Sequence, residues 1–125
     1  MKKILVFCFC VFTFLGCGNE TIEEVALKSF DLTAKGDAKG VEYFYFEHNY
    51  SKEQYLRYLP DISKQIQDGI KEHGGIKSRD VMIVSKSEDG KSAQVRLVIK
   101  FKDGTIDKTN ITEMINVDSK WLVVY

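Results

Sequence analysis

Little in this sequence could bind a metal ion or close a disulfide. Cysteine occurs three times and histidine twice. Cys8 and Cys10 both lie in one apolar run near the start, so Cys17 is left without a partner and the fold must rest on its core. A metal site needs several converging His, Cys or carboxylate ligands; His48 and His73 share no paired spacing, and neither a metal nor a cofactor is expected. An excess of one charge is also missing, with 18 Lys and Arg against 18 Asp and Glu, which argues against a nucleic-acid partner. There is no Gly-x-Ser-x-Gly elbow, and Gly74-Gly75 lacks the further glycine and the Lys-Ser or Lys-Thr ending of a phosphate loop. The apolar stretch from Ile4 to Leu15 falls short of the roughly 20 residues that cross a bilayer.

That stretch, preceded by Lys2-Lys3 and closed by a small residue before a cysteine, has the layout of a secretory signal. Phe14-Leu15-Gly16-Cys17 resembles the processing site of a bacterial lipoprotein, matching in Gly16 and Cys17 and departing from the pattern in Phe14 and Leu15. The resemblance implies a removable signal peptide over residues 1–16, lipidation of Cys17, a tether over residues 17–20 and one folded domain over residues 21–125. Several acyl chains, each contributing about 0.8 kcal/mol per buried methylene, hold a protein firmly on a membrane. The plainer alternative is a secreted protein with an incidental cysteine near its cut site. Loss of Lys2 and Lys3 leaves 16 basic and 18 acidic residues, a net charge of −2. The expected location is the cell envelope, with the membrane as partner through the lipid on Cys17. Gly18, where an acidic inner-membrane retention signal could stand, points to an outer membrane if the host has one.

Thr21 with Glu24 is a reciprocal capping pair, and Ile22, Val25, Ala26, Ser29, Phe30 and Thr33 recur at helical spacing. Lys35-Gly36 ends this first helix. Asp37 can cap a short second helix to about Phe44, with Ala38, Val41 and Phe44 or Tyr45 inward. Ser51 with Gln54 predicts a third helix from about Lys52, kinked or restarted at Pro60, with Ile62, Ile66 and Ile70 as its buried row and Gly74-Gly75 as its stop. His73 reads as a residue interacting with the helix C-terminal dipole. Beyond Ile76 the apolar period becomes two. Runs over 81–85, 93–101, 106–117 and 121–125 are separated by Asp89-Gly90, Asp103-Gly104 and Asp118-Ser119, turn pairs of a hairpin meander. In the third run Lys108, Asn110 and Thr112 share a face with Ile106 and Met114, while Ile111 and Ile115 lie on the other. A bulge would shift the inward face partway along. The expected fold class is α+β: two or three N-terminal helices packed on a curved four-stranded antiparallel meander.

The order Thr21-Ile22-Glu23-Glu24-Val25-Ala26, Lys35-Gly36-Asp37, Gly74-Gly75-Ile76-Lys77, Phe101-Lys102-Asp103-Gly104-Thr105 and Lys120-Trp121-Leu122-Val123 resembles small bacterial lipoproteins with a nuclear-transport-factor-2-like, cystatin-like fold. That resemblance implies a cone with a pocket, in a superfamily holding both enzymes and noncatalytic binding domains, so fold alone assigns no chemistry. In its isomerases and dehydratases an Asp or His faces into the cone as acid or base; here the candidates are Asp31, His48 and a tyrosine. The plainer reading puts Asp31 on the solvated face of the first helix and His48 on a loop. Tyr43, Tyr45, Tyr50, Tyr55 and Tyr58 could rim a ligand or partner site, since tyrosine is enriched at binding surfaces; alternatively half of them close the core. The sequons at Asn19, Asn49 and Asn110 are set aside for a bacterial protein. The expected function is noncatalytic binding of a small apolar ligand, a peptide or an envelope protein. The alternatives are a small isomerase- or dehydratase-like enzyme using Asp31 or His48, and a structural or assembly role, with an oligomeric state that the sequence leaves open.

Overall fold

The computed structural model describes residues 20–108 and 110–125. The expected signal peptide, Cys17 and the expected tether up to residue 19 lie outside the described residues. Chain order is α1 (Ile22–Lys35), a 3-10 helix (Ala38–Tyr43), β1 (Phe44–Tyr45), α2 (Asn49–Glu72), β2 (Ile76–Lys86), β3 (Ser92–Phe101), β4 (Ile106–Asp107), β5 (Ile111–Val117) and β6 (Lys120–Val124).

α1 starts and stops where its end residues dictate. The Glu24 backbone N–H donates to Thr21 Oγ1 at 3.1 Å, and the Thr21 N–H donates to Glu24 Oε1 at 2.9 Å, so each side chain satisfies one orphaned donor. Gly36 adopts φ 72°, the left-handed conformation that ends helices. Three of the last carbonyls of α1 have named partners. Asp37 N–H donates to Leu32 O and Gly36 N–H to Thr33 O. Ala34 O accepts from both Ser63 Oγ at 2.7 Å and Gln67 Nε2 at 2.8 Å, which fastens α2 across the end of α1.

Three helical expectations are corrected. The short second helix is a 3-10 helix ending at Tyr43, capped by Asp37 through the Lys39 N–H. Its buried Gly40 sits so close to α2 that a Cβ there would lie 3.0 Å from the Tyr55 hydroxyl, an approach that a glycine permits. α2 begins at Asn49, three residues before the predicted Lys52, and the Ser51-Gln54 pair lies inside it. The cap is His48, whose backbone carbonyl accepts from Ser51 N–H while its side chain makes no capping bond. Finally, α2 runs unbroken through Pro60. Pro60 and Leu56, the residue one turn earlier whose carbonyl loses its helical donor, are both on the exposed side of the helix, where water can take that donor's place.

The sheet has six strands in place of the four expected. Its order is β1-β6-β5-β3-β2, with β4 also paired to β3. The extra edge comes from Phe44-Tyr45, which leave the 3-10 helix and pair parallel with Val123 and Val124. The other extra strand comes from a break in the predicted third run. β4 pairs Asp107 with Ile99, whereas β5 pairs Ile111 with Arg96, so four steps on the broken strand oppose three on β3. One residue is inserted, as the phase change in the sequence requires. Ile106 consequently faces out, 51% exposed, while Met114 faces in and is fully buried. At the β5–β6 turn, Asp118 and Ser119 both take positive φ, 52° and 69°, the backbone that a two-residue hairpin loop demands.

The core lies between α1 and the middle of the sheet: Ile22, Val25 and Ala26 against Ala93, Val95, Met114 and Val123, with Tyr43, Phe44, Val81 and Trp121 around them. A second cluster closes the other side. The Tyr55 ring packs at 5.0 Å from Phe44, 5.8 Å from Phe46 and 5.6 Å from Tyr125.

Candidate functional site

A cavity lies beneath the last third of α2. The first half of the helix is buried through Tyr55 and Leu59, and its second half is tied to α1 through Ser63 and Gln67. Its C-terminal end is tied to the β3–β4 turn. Lys102 N–H donates to Gly75 O at 2.9 Å, Asp103 N–H donates to His73 O at 3.1 Å, and His73 Nδ1 lies 2.7 Å from Asp103 Oδ2. The Asp103 carboxyl is held down at about 2 by the Thr105 N–H first and by His73 second, because both bonds favour the charged form.

Under that part of the helix, Gln65, Ile66, Gly69 and Ile70 of α2 face Val95, Leu97 and Ile99 of β3 across a cavity of about 460 Å³, within the range of small-ligand sites. Ala26, Ser29, Phe30 and Thr33 of α1 and Phe44 and Val123 close its inner end. The residues of the predicted buried row, Ile62, Ile66 and Ile70, are all only half-buried, and Ile66 and Ile70 border the cavity in place of side chains.

Gly69 is the telling member of this lining. A Cβ built there meets nothing within 4 Å, so neither crowding nor a left-handed backbone calls for glycine. A glycine inside a helix costs about 1 kcal/mol relative to alanine. What it does here is keep the helical wall of the cavity bare.

The opposite wall carries polar groups. Asp107, Asn110 and Thr112 line the cavity from β4, β5 and the break between them. Inserting one residue turns Asn110 and Thr112 inward and leaves Ile111 49% exposed outside. Gln65 and Asn110 are exposed, so the mouth lies between α2 and the strand break. Depth runs the other way, towards Val95 at 1% and Val123 at 6% exposure. Sequence reasoning did not single out these polar residues. Their signal was the alternation of polar side chains in an otherwise apolar run, which read as a problem of phase rather than as a lining.

The residues that the sequence did single out lie elsewhere. Asp31 Oδ2 accepts from Arg79 Nη2 at 2.7 Å, both side chains about one-third exposed, and His48 is exposed at the start of α2. Neither is among the residues lining the cavity. Tyr55 is 1% exposed, its hydroxyl hydrogen-bonded to Thr33 Oγ1 at 2.9 Å, and burial pushes its pKa up while that bond opposes the shift. Tyr50 and Tyr58 are 63% and 45% exposed, and Tyr45 is half-buried at the sheet edge. Tyr43 borders a smaller hollow with Trp121 and Lys120. The five tyrosines therefore do not gather round one opening.

Helices folded over one face of a curved, mostly antiparallel sheet, with a cavity between α2 and the strands, define the NTF2-like fold. The crystal structure of a provisionally assigned NTF2-like transpeptidase from Campylobacter jejuni has this arrangement, superposing with a TM-score of 0.56 at 22% identity over 82% of this chain and 95% of that one. At that identity the likeness concerns the fold. No protein-family model and no curated protein matches the sequence. Among the described residues, no helix is long and apolar enough to cross a membrane.

Proposed function

We propose that this chain is a noncatalytic binding domain, held in the bacterial cell envelope by a lipid on Cys17, that takes a small and largely apolar ligand into the cavity beneath α2. The observation that carries the binding reading is Gly69, a helix-weakening glycine on the cavity wall where an added Cβ would meet nothing within 4 Å. The apolar walls of Phe30, Ile66, Ile70, Leu97 and Ile99 supply the burial that would hold such a ligand. The lipid anchor rests on the Gly16-Cys17 sequence at the end of the apolar leader.

The test is binding of the neutral fluorophore N-phenyl-1-naphthylamine to the folded domain and to Gly69→Phe. A Cβ at Gly69 meets nothing within 4 Å, so a phenylalanine there starts in open space on the cavity wall and occupies part of the cavity. Saturable binding by the native chain, lost by at least about tenfold in a Gly69→Phe variant of unchanged melting behaviour, is the expected result. Equal binding by both chains removes the cavity as the site.

A further inference from the structure

We infer that the smaller hollow, between the start of α1, the end of the 3-10 helix and β6, takes the zwitterionic headgroup of a membrane phospholipid, with Lys120 meeting its phosphate and Glu42 its ammonium group. This inference rests on the lipid anchor at Cys17 and is independent of what fills the cavity beneath α2.

The hollow has a volume of about 210 Å³, below the roughly 300 Å³ at which pockets for whole small ligands begin, so it suits one end of a larger molecule. Buried Val25 and half-buried Tyr43, Trp121 and Leu122 make its apolar part. Glu20, at its edge, is neutralised by an ion pair with Lys28. Glu42 and Lys120 are different. Both are exposed and line the same hollow, yet among the described residues neither has an ion-pair partner, and they do not pair with each other. The hollow therefore offers one unneutralised charge of each sign. A ligand of one sign satisfies one of these residues and meets the like charge of the other. A zwitterion satisfies both, through charge-assisted hydrogen bonds to the carboxylate and from the lysine, and the aromatic rings of Tyr43 and Trp121 beside them attract a cation.

Position supplies the zwitterion. Glu20 follows Cys17 by three residues, so a lipid on that cysteine leaves at most about 11 Å of chain between the membrane surface and the edge of the hollow. Tryptophan, tyrosine and lysine are the residues that gather where membrane meets water. The net charge of −2 expected after loss of the leader gives no general attraction to an anionic surface, so the contact depends on the headgroup itself.

Trp121 is the single tryptophan of the chain and reports on the hollow directly. The experiment couples the mature chain through Cys17 to a maleimide lipid, in vesicles of phosphatidylethanolamine with phosphatidylcholine or in vesicles of phosphatidylglycerol, and measures quenching of Trp121 by acrylamide. Quenching in the zwitterionic vesicles should be weaker by about threefold or more. Glu42→Gln and Lys120→Ala, exposed positions whose substitution leaves folding intact, should each raise it there to the level of the phosphatidylglycerol vesicles. Repulsion by net charge alone would leave Glu42→Gln unchanged in the zwitterionic vesicles. Equal quenching in the two kinds of vesicle, or protection that survives either substitution, overturns the inference. Protection of the uncoupled chain by micromolar glycerophosphoethanolamine assigns the hollow to a soluble ligand and overturns the bilayer as its source. Because the maleimide lipid supplies the anchor, these outcomes are separate from lipidation in the cell, which retention of a Cys17→Ser chain in washed envelopes would contradict.

Discussion

Tyr55 joins the two aromatic and helical halves of the interior through one ring and one hydroxyl. Its ring is shared by Phe44, Phe46 and Tyr125, and its oxygen reaches Thr33 on α1. Tyr55→Phe keeps the packing and leaves Thr33 to find another partner. Unfolding by denaturant should show a loss of about 1 kcal/mol; a loss above about 3 kcal/mol would mean that the ring itself had moved. Gly69 behaves in the opposite sense. Gly69→Ala gains helix propensity in open space and should stabilise the domain by about 0.5–1 kcal/mol, read from the same denaturant curves. At this scale the sequence was legible wherever a residue acts on its neighbours, as in the Thr21-Glu24 box and the Gly36 stop. It was not legible for Asp107, Asn110 and Thr112, because their inward aim depends on one inserted residue measured against β3, a partner remote in sequence. It named Asp31 as a candidate acid or base but not its partner, an arginine 48 residues away.

Among the elements, α2 departs furthest from what periodicity alone implies. Pro60 stands in its exposed face within an unbroken helix, so Pro60→Ala restores a donor to the Leu56 carbonyl and should raise stability by about 1–3 kcal/mol. A lower stability in equilibrium unfolding would show that the helix needs the ring's geometry. The far end of α2 depends on Asp103. Its pKa is lowered from 3.8 to about 2, so the stabilisation it gives is complete above the unfolded value and is lost as the pH falls through the folded one. Native and Asp103→Asn proteins should therefore differ in denaturation midpoint near neutrality and converge as the pH is lowered to about 2. A difference independent of pH would assign the effect to something other than the charge. The β1 strand was hidden from sequence reading because two residues, Phe44 and Tyr45, have no period of their own, and only the edge of β6 makes them a strand. The hairpin turns were plain because Asp89-Gly90, Asp103-Gly104 and Asp118-Ser119 each end in a residue at positive φ.

For the whole molecule, an NTF2-like fold stands beside a proposal, that the chain is anchored by a lipid on Cys17. If the lipid anchor is correct, Cys17→Ser leaves the folded domain intact but moves it from washed envelopes to the soluble fraction; retention with the envelopes contradicts the anchor and leaves the cavity argument standing. The cavity is a property of the whole fold, since α2 is packed down through Tyr55 and Leu59 and tied past its end to the β3–β4 turn, while Ile66, Gly69 and Ile70 border open space. The most direct measurement is native mass spectrometry of the protein purified from its own envelope, beside the Gly69→Phe chain prepared in the same way. The account predicts a small, largely apolar molecule carried by the native protein and absent from the variant. An identical added mass on both proteins, or none on the native one even after incubation with envelope extract, would contradict it.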